Sequence, residues 1–101
     1  MKVYAVFMRY TAYERSYDSV DNALIGIYDS EDSANERMKK VADDKLAYLK
    51  EVYADYNMTS DIFFTDESFK DGYAELLVGD DEKYEYYIVT TELNEAMYDE
   101  L

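Results

Sequence analysis

Val3 to Tyr10 is a nearly continuous hydrophobic run rich in β-branched and aromatic side chains, broken only by Arg9, and predicts a first strand. Residues 11–22 are polar apart from Tyr13, Tyr17 and Val20, and predict a loop. Ala23 to Tyr28 is apolar again and predicts a second strand, with Gly26 marking a bulge or a close helix contact. At Asp29 the period changes. Asp29 or Ser30 can cap a helix, and the acids Glu31 and Asp32 suit the positive end of its dipole. Apolar residues then recur at Ala34, Met38, Val41, Ala42, Leu46, Leu49, Val52, Tyr53 and Tyr56, steps of three and four that make one helical face. A helix over residues 31–56 would be about 39 Å long.

Beyond the helix the pattern returns to short periods. Ile62-Phe63-Phe64 is too apolar for solvent and reads as a short strand or a loop over the end of the core. Asp71-Gly72 is a turn, Tyr73 to Val78 a strand, residues 79–83 a hairpin turn and Tyr84 to Leu93 a last strand. Asn94 can cap a C-terminal helical turn through Met97 and Tyr98. The expected fold is α+β: one domain over residues 1–101, ββαββ, with an antiparallel sheet of about four strands and one long helix on one face. A right-handed crossover after the second strand places the 73–78 strand beside the first, for a spatial order 2-1-3-4.

Composition narrows the chemistry. There is no Cys, His, Trp or Pro among the 101 residues. Disulfides, thiol nucleophiles, imidazole bases and the usual zinc sites are therefore excluded. The segment from Asp55 to Asp61 has oxygen ligands at alternate places, but the sixth and twelfth places of a calcium loop hold Ser60 and Asp66 instead of Gly and Glu. No phosphate-binding glycine loop or nucleophile elbow is present. These absences predict a non-enzymatic protein without cofactor or metal. The apolar run at the N-terminus is too short for a secretory signal, and no window is long enough for a membrane span, so a cytoplasmic protein is expected.

Charge changes the picture most. The 24 acids and 10 bases give a net charge of −14. Residues 1–50 carry nine acids and eight bases, so they contribute −1; residues 51–101 carry fifteen acids and two bases, Lys70 and Lys83, and contribute −13. Solubility alone needs a net charge of magnitude about 2–8 in a small domain. Acids at Asp61, Asp66, Glu67 and Asp71, at the hairpin tip Asp80, Asp81 and Glu82, and on the strands at Glu75, Glu85 and Glu92 form a candidate array. Alternate residues on a strand lie about 6.6 Å apart, near the interval between phosphates along a nucleic-acid strand. Lys and Arg side chains built for phosphate would accept such carboxylates. Direct nucleic-acid binding is disfavoured by the same charge.

There are thirteen tyrosines. Tyr28, Tyr48 and Tyr53 are expected in or beside the core, while Tyr84 and Tyr86 follow the acidic tip and are candidate interface anchors, with Tyr87 on the opposite face. Tyr10, Tyr13 and Tyr17 form another cluster. The candidate partner-binding set is thus Asp66, Glu67, Asp71, Asp80, Asp81, Glu82, Tyr84, Glu85 and Tyr86. The bland reading of the acids is solubility, in a small adaptor or structural module that forms a homodimer through a β-edge or aromatic patch.

The opening Met1-Lys2-Val3-Tyr4 and the segment from Leu24 through Gly26, Ser30 and Glu31 to Ala34 resemble small strand–strand–helix proteins of bacteria and their phages. In size, charge and lack of catalytic residues the chain is similar to small acidic phage-encoded anti-defence proteins, including anti-CRISPR inhibitors that imitate DNA. That resemblance is of class and carries no motif. It implies an inhibitor whose partner is a basic nucleic-acid-binding protein, a CRISPR effector among the choices.

Overall fold

The computed structural model describes residues 1–13, 18–56 and 61–92. It is α+β, with one α-helix and five antiparallel strands: β1 (Lys2–Tyr13), β2 (Asp18–Tyr28), α1 (Glu31–Val52), β3 (Ile62–Asp66), β4 (Tyr73–Val78) and β5 (Glu82–Glu92). The spatial order is β2-β1-β5-β4-β3.

The expected loop at 11–22 is mostly strand. β1 and β2 pair from Tyr4↔Tyr28 out to Tyr13↔Asp18. Toward that end even the helix-side positions Asp21 and Ala23 are exposed, so alternation is lost from the sequence while the backbone ladder continues. The bulge expected near Gly26 is present: Val6 pairs with Gly26 and Phe7 with Leu24, leaving Ile25 as the extra residue. A Cβ on Gly26 would lie 2.7 Å from the Tyr28 hydroxyl, which leans over it from the same face.

The helix begins as expected. Ser30 is extended (φ −135°), and its Oγ accepts from the Ser33 N–H at 3.2 Å. It ends at Val52, four residues before the expected limit; Tyr53 closes it by donating to the Leu49 carbonyl at 3.0 Å, and Ala54–Tyr56 forms a separate 3-10 turn. Ala34, Met38, Ala42 and Leu49 are buried, but Tyr48, expected at the core edge, is exposed.

The strand order departs from the expected 2-1-3-4, and the count is five. Ile62-Phe63-Phe64 is a strand that takes the outer edge of β4. With β5 on the other edge of β4, β1 pairs with the far side of β5, and their lengths of 11 and 12 residues match. β4 begins after Gly72, whose left-handed φ of 77° closes the Phe69–Asp71 3-10 turn. The core lies between the helix and one sheet face: Val6, Ala74 and Tyr86 pack with Ala34, Met38 and Ala42, and Ile62, Leu76 and Val78 pack with Leu49. Among the described residues, no helix is long and apolar enough to cross a membrane. The C-terminal turn expected at Asn94 to Tyr98, Tyr17, and residues 57–60 of the calcium-like segment lie outside the described residues.

Candidate protein-binding surface

The expected acidic array divides into three groups. Asp66, Glu67 and Asp71 stand where β3 leaves the sheet and β4 enters it. Glu67 and Asp71 are exposed. Asp66 is partly buried and serves the turn, accepting from the Ser68 N–H at 2.9 Å and from its hydroxyl at 2.6 Å. At the other end of β4, Asp80 and Asp81 are exposed on the hairpin tip. Exposed Asp61 joins them, because its carbonyl accepts from the Gly79 N–H at 2.8 Å, and the Asp81 carbonyl accepts from Tyr13 N–H at 2.7 Å. Glu82, the next residue, is half-buried and accepts from the Tyr10 hydroxyl. That bond, with burial second, raises the Tyr10 hydroxyl pKa well above its ordinary value.

The third group lies between them on the sheet face away from the helix. Glu75 on β4 is directly opposite Glu85 on β5. Like charges so placed repel. Here the Tyr73 hydroxyl sits between them, 3.1 Å from a Glu75 oxygen and 3.0 Å from a Glu85 oxygen. Thr65 donates to the other Glu75 oxygen at 2.9 Å, and Lys83 lies 3.6 Å from Glu85. Burial, followed by the two carboxylates, raises the Tyr73 pKa. Glu92 does not extend this group: it is seven residues from Glu85, falls on the other face, and pairs with the N-terminal ammonium at 3.3 Å.

The two tyrosine anchors are placed inward. Tyr86 has 0% exposure, sits opposite Ala74, and presents a buried hydroxyl with no hydrogen-bond partner among the described residues. Desolvation raises its pKa. Tyr84 is half-buried against the same core, with its ring 4.8 Å from that of Tyr10 and Lys45 Nζ 5.0 Å from its centroid. The outward member is Tyr87, stacked on Phe7 at 5.5 Å with Arg9 above it at 5.8 Å. The hairpin register carried the signal: a turn at 79–81 puts Tyr86 across from Ala74, where a small side chain leaves room for a buried ring.

The helix lysines make no ion pair with the acidic ends among the described residues, although Lys39 also feels the charge of Glu67. Lys39 and Lys40 bind Asp43 and Asp44 at 2.7 and 2.9 Å, one turn along the same helix. Lys45 lies over the Tyr48 and Tyr84 rings. Among the described residues no ion pair reaches Asp61, Glu67, Asp71, Asp80 or Asp81, and no group of three or more acids is placed to hold a metal ion. No family model, no curated protein and no solved structure matches this chain.

Proposed function

We propose that the protein is a non-enzymatic inhibitor or decoy. Its acidic rim occupies the basic nucleic-acid-binding groove of a partner protein, such as a CRISPR effector, and keeps DNA or RNA out. One observation carries this reading: five exposed carboxylates with no ion-pair partner among the described residues stand in two groups at the ends of β4. Six strand residues separate the groups by about 20 Å, a span that a groove several nucleotides long would cover. The contact residues are Asp61, Glu67, Asp71, Asp80 and Asp81. Asp66 and Glu82 hold local structure, Glu85 is held by Tyr73 and Lys83, and Tyr84 and Tyr86 belong to the core.

Binding by such a rim is steered by charge and weakened by salt. The test is capture from a bacterial lysate at low salt, elution with a salt gradient, and competition with the captured protein's own nucleic acid. Displacement by DNA or RNA is expected. Replacing Asp80 and Asp81 by lysine should weaken the complex by more than about tenfold, in line with a central charge cluster. A complex that ignores both nucleic acid and this double substitution would defeat the proposal.

A further inference from the structure

The sheet face away from the helix has the wrong composition for a solvent face. An antiparallel sheet open to water on one side normally alternates apolar-in, polar-out. Here Val20, Leu24, Ile27, Phe63 and Val89 point outward and keep between 43% and 60% of their surface. Phe7 and Tyr87 stack among them. In a molecule of net charge −14, the described side chains of this face include two bases, Arg9 and Lys83, beside the acids Glu75 and Glu85, with Asp66, opposite Glu75, at its margin. A second, equally acidic chain meets less repulsion here than at the hairpin tip, where Asp61, Asp80 and Asp81 stand together.

The order of the strands makes the face complementary to itself. β5 is the middle strand of five. A twofold axis running along β5, between two such faces, exchanges β1 with β4 and β2 with β3. Register puts Arg9 and Glu75 in one row on either side of Glu85. The axis therefore sets Arg9 of each copy over Glu75 of the other. The adjacent row sets Phe7 over Tyr73, and the outer strands set Val20 over Phe63. Glu85, nearest the axis, is held within its own copy by Tyr73 at 3.0 Å and Lys83 at 3.6 Å. A face of about 24 by 30 Å offers roughly 700 Å², on the order of the ~800 Å² that each partner contributes to a standard interface.

We infer that the open sheet face is an isologous interface on which a second copy of this chain packs, sheet against sheet, with Arg9 of each copy paired to Glu75 of the other. This goes beyond the decoy reading: Asp71, Asp80 and Asp81 lie at the ends of β4 and remain at the periphery of the pair.

Sedimentation of the full chain over about a hundredfold concentration range tests it, since a dimer of this kind dissociates on dilution. A species of twice the 11.9 kDa chain mass is expected. Arg9→Glu and Glu75→Arg should each weaken the dimer by about tenfold or more, and the double swap should return it to within about threefold of the parent. Circular dichroism of each variant checks that the fold is retained. A protein monomeric at every concentration overturns the inference; so does a dimer indifferent to both reversals, or two weakening reversals whose combination, still folded, fails to recover. Occupation of the face by residues 93–101 or by a basic partner predicts the monomer.

Discussion

The two faces of this sheet are built from the same five strands, yet adjacent residues have opposite fates. On the helix side Val6, Ala74, Leu76 and Tyr86 close around Met38 and Ala42. On the open side Phe7, Tyr87, Leu24 and Ile27 lie over the same backbone without a layer from the described residues above them. Tyr86 and Tyr87 are neighbours of identical chemistry. One fills the core, and the other stacks on a half-covered ring. Intrinsic preference cannot separate them; the layer above each face does, through the area it removes from water.

The largest break of that comparison is truncation at the two positions. Tyr86→Ala empties a site at the centre of the core and should cost about 3–5 kcal/mol. In a chain of this size that lowers the melting temperature by more than about 12 °C. Tyr87→Ala removes one stacked contact and should cost about 0.5–1.5 kcal/mol in the monomer. Chemical denaturation of both variants, at a concentration where the protein is monomeric, measures the gap. Equal losses would mean that the open face is as enclosed as the core.

A smaller substitution sharpens the same point. Tyr86 carries its hydroxyl into the core and finds no partner among the described residues. Burying an unpaired hydroxyl is unfavourable, so Tyr86→Phe should be neutral or stabilising by up to about 1 kcal/mol. Denaturation midpoints of the two proteins decide it. A loss above about 1 kcal/mol would place an unseen acceptor beside the hydroxyl.

Local chemistry was legible in the sequence, and long-range choice was not. Ser30 with Glu31 and Asp32 announced the helix start, and Tyr73–Val78 was bounded correctly by Gly72 and Gly79, both of which adopt positive φ. Asp80 and Asp81 at the hairpin tip were legible because a tight turn has nowhere to hide them, whereas Glu82, expected beside them, opens β5 and is half-buried against Tyr10. The outer part of the β1–β2 hairpin was missed because β2 is exposed at every position from Val20 to Leu24 and its polar residues follow no period. The strand order was missed because it depends on β3 claiming an edge of β4, a contact between distant segments that no local pattern records. Tyr84 and Tyr86 were placed on the correct common face, but the choice between the two faces needed the register against Ala74 and Leu76.

The finest prediction concerns hydroxyls that are raised for different reasons. Tyr84 and Tyr86, on the helix side, are raised first by burial, as is Tyr73 on the open side, whereas Tyr10 is raised first by its hydrogen bond to Glu82. All four start from an ordinary value of 10.0. A tyrosine whose folded pKa exceeds its unfolded value binds its proton more tightly when folded. Its contribution is therefore fully present below pH 10 and is lost as pH rises through the folded pKa. Stability should fall as pH rises above 10, and spectrophotometric titration should show these phenols ionising later than the exposed ones. Glu82→Gln removes the anion beside Tyr10 and keeps the shape. It should bring Tyr10 down toward its ordinary range and leave Tyr86, whose shift needs no carboxylate, where it was. If no phenol moves earlier in the Glu82→Gln titration, burial and not the carboxylate governs Tyr10, and it is raised in the same way as Tyr86.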